Sequence, residues 1–310
     1  MHEWTGIEVD WGAFDPWKVQ PVHHGLATHP LLQLDSLVAL GRRLERLRSV
    51  RTHSNQVSAG TPFNHAPRLH PNDAGAAATL ADIAHAKAWM SLLNVQADPT
   101  YRTLVDDVLN AVAAQIARRD PGLCYRGGWI FLTSPHTVTP FHFDKEHNFI
   151  LQLQGHKTIY VWDPQDTEAA SEAARDLFHA THSRDRLEWR EALRERAHVF
   201  HVEPGMGVYM PSTSPHLVET SDGPSVTMSF TYYTDATRRD AVLHRAHERL
   251  RQWGHEPPPV GANAALDAAL LAAFRSSTWL RQLASRLTGA TTPAPDRTPY
   301  ALAPYERLVA

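Results

Sequence analysis

The segment TPFHFDKEHNFILQLQGHK, Thr139 to Lys157, sets an imidazole, a carboxylate and an ammonium into what otherwise reads as a buried β-hairpin. An unpartnered charge in an apolar setting is costly, so this composition calls for a ligand or a counter-charge. In a strand, residues two apart point to one face. His142 and Asp144 can thus offer a nitrogen and an oxygen together while Phe143 turns into packing. A third ligand is available in EPGMGVYMPSTSPHLVET, where a short Ser/Pro loop delivers His216 to the start of a strand. Two histidines and one carboxylate make a facial set that leaves three cis positions open on Fe(II).

Taken singly these features are weak. The chain holds 20 histidines, so chance His-x-acid pairs are expected, and His201 with Glu203 is one that reads as a strand end. An isolated His142–Asp144 pair fits a surface as well as a metal, and His216 alone fits a hydrogen-bonded loop. Lys157 changes the balance. The strand NFILQL turns at Gln154 and Gly155 into KTIYVW, which brings Lys157 back beside the strand of His142 inside a barrel. There a carboxylate ligand such as the distal carboxylate of 2-oxoglutarate would supply its partner. The plainer reading is an exposed lysine guarding a sheet edge. Thr139 could add a hydroxyl to the same carboxylate, or simply begin a strand beside Pro140.

These segments resemble the JmjC, or cupin-like (cupin-8), family of Fe(II)/2-oxoglutarate oxygenases. Within it they are most similar to the asparaginyl-hydroxylase branch typified by factor inhibiting hypoxia-inducible factor. That pattern is T-x-x-H-x-D, an Asn four residues after the Asp and a Lys thirteen after it, met here by Thr139, His142, Asp144, Asn148 and Lys157. The resemblance spans roughly residues 129–233. It implies that His142, Asp144 and His216 ligate iron, that Thr139 and Lys157 hold the distal carboxylate of 2-oxoglutarate, and that Asn148 lines the co-substrate pocket. Where that branch has an asparagine near the iron, this chain has Ser229, on a strand whose Thr227, Ser229 and Thr231 form one polar face toward cavity or solvent. The implied activity uses Fe(II), 2-oxoglutarate and O2 to hydroxylate a C–H bond of a peptide or protein side chain, releasing succinate and CO2. A small-molecule hydroxylase of the same chemistry and a non-catalytic metal- or ligand-binding sensor are the alternatives. A zinc or nickel isomerase barrel would not need Lys157.

The elements that must position these residues are legible in outline. From Tyr125, short β-branched and aromatic runs punctuated by Gly, Pro and Asp indicate an antiparallel barrel or sandwich. The resemblance narrows this to an all-β core, a double-stranded β-helix of the jelly-roll or cupin type, with flanking N- and C-terminal α-helices. Leu37, Leu40 and Leu44 share a helical face from about Leu34, two helices are expected near 77–94 and 98–119, and 1–30 and 50–75 read as irregular or loop. The expected units are 1–122, packing on the barrel; 123–234, the barrel with a polar insertion at 165–197; 235–290, C-terminal helices; and 291–310, a Pro-rich tail. Leu243, Ala246, Leu250 and Trp253 share one face of the first C-terminal helix. Leu266, Leu270, Phe274, Trp279, Leu280, Leu283 and Leu287 form a stripe on the second. That stripe packs either on the chain's own helices or on its copy in a homodimer.

Composition excludes other classes. With 43% hydrophobic and 20% charged residues and a net charge of −3, no basic excess points to nucleic acid. No apolar run reaches membrane-spanning length. The single cysteine and an acidic, aromatic N-terminus unlike a secretion signal suit a reducing, cytoplasmic setting.

Overall fold

The computed structural model describes residues 6–274 and 276. Among them run strands β1 (Ile7–Glu8), β2 (Gln20–His24), β3 (Val50–Ser54), β4 (Ala88–Leu92), β5 (Cys124–Thr133), β6 (Val138–His142), β7 (His147–Gln154), β8 (Lys157–Val161), β9 (His198–Val202), β10 (Met206–Met210), β11 (His216–Thr220) and β12 (Ser225–Tyr233). They form two antiparallel sheets, β1-β2-β10-β7-β12-β5-β4-β3 and β6-β11-β8-β9. The helices are α1 (Leu34–Arg46), α2 (Ala66–Leu69), α3 (Ala76–Ala81), α4 (Pro99–Ala117), α5 (Glu172–Thr181) and α6 (Asp235–Gln252).

The sheets face one another across Ile150, Val208 and Met210 of the larger and Ile159, Val202 and Val218 of the smaller. On its outer face the larger sheet carries α1 and α4, in a cluster with Phe149, Leu151, Met228 and Phe230. Strands β7 and β12 are thus covered on both faces, which is why NFILQL reads as a nearly continuous apolar run. The result is the expected jelly-roll barrel with helices before and after it. Local signals agree with it. Leu37, Leu40 and Leu44 of α1 are fully buried, and the Asp98 carboxylate caps α4 by accepting from the Thr100 N–H at 3.0 Å, with Pro99 in the first turn.

Several expectations need correction. Residues 77–94 are not one helix: α3 stops at Ala81, and Ala88–Leu92 is a fully buried strand between β3 and β5. Burial in the sheet overrides helical propensity there. Residues 50–75 include β3, and residues 1–30 include β2, which pairs with β10. Strand β8 does not adjoin β6, because β11 lies between them. On α6, Leu243 is buried, but Trp253 just past its end is 67% exposed, and the buried face is largely His244, His247 and Glu248. These polar groups meet Asp176 of α5 and Arg186 of the insertion rather than an apolar surface. In the second C-terminal helix Leu266 and Leu270 are half-buried and Phe274 is exposed; Trp279, Leu280, Leu283 and Leu287 lie outside the described residues. Among the described residues no helix is long and apolar enough to cross a membrane.

Gly155 makes the β7–β8 turn at φ +72°, and a Cβ there would sit 2.2 Å from the Pro224 carbonyl oxygen. Both the left-handed backbone and the rigid neighbour oppose a side chain. Gly155→Ala is expected to lower unfolding free energy by about 1–3 kcal/mol, read from the urea midpoint. An unchanged midpoint would show that the turn relaxes freely.

Candidate metal centre

His142 ends β6 and His216 opens β11, and the two are direct cross-strand partners. Further along the pair, Val218 lies opposite Thr139, so β6 holds one residue more than β11 over this stretch. In a regular strand, residues three apart point to opposite faces; this bulge turns Thr139 and His142 to the same one. Asp144 lies beyond the last residue of β6, not within the strand as expected. Its backbone is fixed by the Thr213 N–H, which donates to the Asp144 carbonyl at 2.8 Å.

One ligand atom from each of His142, Asp144 and His216 lies within 4.8 Å of the others. Oδ2 of Asp144 is 3.7 Å from Nε2 of His142 and 3.9 Å from Nε2 of His216. The other ring nitrogens are committed: Nδ1 of His142 lies 2.8 Å from the Pro140 carbonyl and Nδ1 of His216 lies 3.1 Å from that of Ser214. A carbonyl only accepts, so each Nδ1 carries the proton and each Nε2 keeps its lone pair for the cluster. Burial, then the neighbouring His216, hold the His142 pKa well below the ordinary value. Burial lowers that of His216 against the opposing pull of Asp144. Two neutral imidazoles and a carboxylate fit a divalent first-row metal.

The cluster forms one end of a pocket lined also by Thr139, Asn148, Lys157 and Ser229, with Phe131, Ile150 and Val218 as apolar walls. All seven polar residues expected at the site therefore converge. Lys157 points inward with Ile159 and Val161, as the alternating burial of β8 requires. Its ammonium donates to Oγ1 of Thr227 at 2.7 Å, and Thr227 in turn donates to Gln152 Oε1 at 3.0 Å. No carboxylate pairs with it among the described residues, and burial pushes its pKa down to about 7. Thr139 Oγ1 accepts from the Trp89 indole N–H at 2.8 Å, which leaves its own proton to donate. Oδ1 of Asn148 and Oγ of Ser229 are buried without a hydrogen-bond partner. This end of the pocket suits an anionic, hydrogen-bonding ligand. The polar face of β12 is inward: Thr227, Ser229 and Thr231 are all buried. His201 and Glu203 are exposed and away from the cluster, as expected.

Sequence reasoning missed Arg184 and Phe63. Nη2 of Arg184 donates to Oδ1 of Asp144 at 2.7 Å. The Phe63 ring stacks on His142 at 3.9 Å between centroids. Arg184 sits in a polar insertion that reads as a solvated helix, and Phe63 in a Pro/Asn/His-rich loop; neither has a spacing that ties it to the cluster.

An antiparallel barrel with a His–Asp–His cluster inside, close enough to hold a metal ion, is the arrangement of a cupin. The cupin-like domain family matches residues 45–238, and the chain belongs to it. Among solved structures the chain is similar to YcfD, a ribosomal oxygenase from Escherichia coli, in complex with cobalt and 2-oxoglutarate. That match has a TM-score of 0.46 and 14% identity, covering 98% of this chain and 65% of that one. The cobalt and succinic acid complex of YcfD gives 0.44 at 14%, covering 98% and 65%. DMSP lyase DddQ from Ruegeria pomeroyi gives 0.23 at 15%, covering 35% and 38%. The chain thus spans less than two thirds of the length of YcfD. No curated protein matches the chain.

Lys157 generates a prediction independent of any ligand. Its folded pKa of about 7 lies below the 10.5 of an unburied lysine. Between those values the unfolded chain holds the proton and the folded one does not, so stability rises with pH across that window. Below about pH 7 the whole cost of burying the ammonium is present. Lys157→Met is expected to stabilise the ligand-free protein at pH 6 by about 1–3 kcal/mol, with the gain shrinking toward pH 9. Urea midpoints at both pH values check this; a gain independent of pH would mean that the lysine is not buried as an ammonium.

Proposed function

We propose that the chain is an Fe(II)- and 2-oxoglutarate-dependent oxygenase that hydroxylates a C–H bond of a peptide or protein side chain, with release of succinate and CO2. The observation that carries this reading is the pairing of two unlike ends in one pocket. At one end is a two-histidine, one-carboxylate cluster; at the other is a buried ammonium with no carboxylate partner among the described residues. A dicarboxylate whose keto-acid end reaches a metal fits both ends at once.

His142, Asp144 and His216 would hold the iron, which when bound supplies the coupling of O2 reduction to oxidative decarboxylation of 2-oxoglutarate. The chain's own residues do the positioning. Lys157 and the free Thr139 proton take the distal carboxylate, and Thr227 steers the ammonium from behind. Asn148 and Ser229, whose oxygens lack partners, face the body of the ligand. Phe131, Ile150 and Val218 keep that end dry, which strengthens the charge pairing. A side-chain substrate is supported by a groove of about 370 Å³ between residues 59–65 and 184–189, whose floor includes Phe63 and Arg184, the residues that touch the metal ligands.

Succinate release with Fe(II), 2-oxoglutarate and O2 tests the proposal. Asp144→Ala should fall to background while circular dichroism shows the fold retained; turnover at the native rate would remove Asp144 from the site. Lys157→Met deletes a charge-assisted hydrogen bond of about 1.5–3 kcal/mol, so the half-saturating 2-oxoglutarate concentration should rise about 10- to 100-fold. If that concentration does not move, Lys157 does not hold the co-substrate.

A further inference from the structure

We propose that Arg184, carried by the insertion between β8 and β9, is a positioning residue that fixes Asp144 as a one-oxygen metal ligand. The inference rests on the metal reading above. Nη2 of Arg184 takes Oδ1 of Asp144 at 2.7 Å. Oδ2 is the oxygen that faces both imidazole nitrogens, at 3.7 and 3.9 Å. The carboxylate is thus divided between a guanidinium and the cluster. Carboxylate torsions are broad and roughly two-fold, so without such a partner the group can rotate or present both oxygens. Presenting both would fill a coordination position that the co-substrate or O2 needs.

The guanidinium itself has no freedom to follow a rotating carboxylate. Its Nε donates to the Phe143 carbonyl at 2.9 Å and its Nη1 to Asn64 Oδ1 at 2.7 Å. The Phe63 and Phe178 rings lie 4.9 and 4.2 Å from its central carbon. Only 8% of the residue is exposed. The supporting segment is anchored too. Arg251 and His244 of α6 hold Asp176 at 2.8 and 2.7 Å. Arg186, two residues from Arg184, reaches Glu248 at 2.7 Å. Asn64 Nδ2 donates to the His182 carbonyl at 2.9 Å. A surface ion pair formed only for stability would need none of this. The planar fork, with three nitrogens on three acceptors, is a geometry that lysine cannot reproduce.

The test uses the metal-free full chain titrated with Co(II), followed by visible absorption, for the native protein, Arg184→Met, Arg184→Lys and Asn64→Ala. Loss of an outer partner of a metal ligand typically weakens binding about 10- to 100-fold, and that is the expectation for Arg184→Met. Arg184→Lys should not restore native affinity and should change the Co(II) spectrum, since charge alone does not hold the carboxylate in one orientation. Asn64→Ala, which touches neither Asp144 nor its backbone, should shift the spectrum in the same direction by less. Native affinity and spectrum in a folded Arg184→Met variant would overturn the proposal. If that variant fails to fold, native behaviour of both Arg184→Lys and Asn64→Ala would overturn it instead. A native chain that binds Co(II) through Asp144 yet releases no succinate with iron would sink the oxygenase reading and leave the role of Arg184 supported by the titration.

Discussion

A lysine held inside an antiparallel barrel, with no carboxylate to neutralise it among the described residues, is the constraint around which the site is arranged. Asp144 is the carboxylate that lines the same pocket, yet it pairs with Arg184. That choice of partner keeps Lys157 available. Had the two joined, the pocket would hold a satisfied ion pair and no reason to admit an anion. As built, below about pH 7 Arg184 and Lys157 outnumber Asp144 by one charge before any metal arrives. A dianionic ligand and a divalent cation are then mutually compatible occupants of one low-dielectric space.

Holding that arrangement requires strands that serve two environments at once. On β12, Val226, Met228 and Phe230 enter the cluster under α1 and α4, while Thr227 meets the Lys157 ammonium and Ser229 lines the pocket. On β7, Phe149 and Leu151 turn outward and Asn148 and Ile150 inward. The large apolar cluster on the outer face gives these strands their stability, so the inner face can carry orphaned oxygens and a lysine with no carboxylate partner among the described residues. The period of two along each strand separates stability from chemistry. The bulge in β6 breaks that period where two site residues three apart are needed on one side.

This division explains what was legible in the sequence. His142, Asp144, Lys157 and His216 lie at or near strand ends and turns whose spacing survives as local pattern, so their convergence could be anticipated, whereas Asn148 was reached only through the family resemblance. The strand at Ala88–Leu92 could not, because AWMSL owes its conformation to β3 and β5 on either side and not to its own propensity. Arg184 was hidden for a different reason. It is one of five arginines between Arg184 and Arg196, and nothing local marks the one that turns inward. The face of α6 was misread because periodicity counts apolar residues, whereas His244, His247 and Glu248 are buried by partners that exist only in three dimensions.

The polar seam between α5, the insertion and α6 makes sense in these terms. Buried ion pairs add little net stability over well-packed apolar residues, but breaking one leaves an uncompensated charge. An apolar seam can slide by small steps at little cost. Sliding this one would strand Asp176 and Glu248, both almost fully buried, away from Arg251, His244 and Arg186. The seam therefore fixes register more than it adds strength. Register is what a residue two positions from Arg186 needs if its guanidinium is to meet a single carboxylate oxygen on another strand. Helix α6, which gives no residue to the pocket, is in this way mechanically part of the candidate metal site.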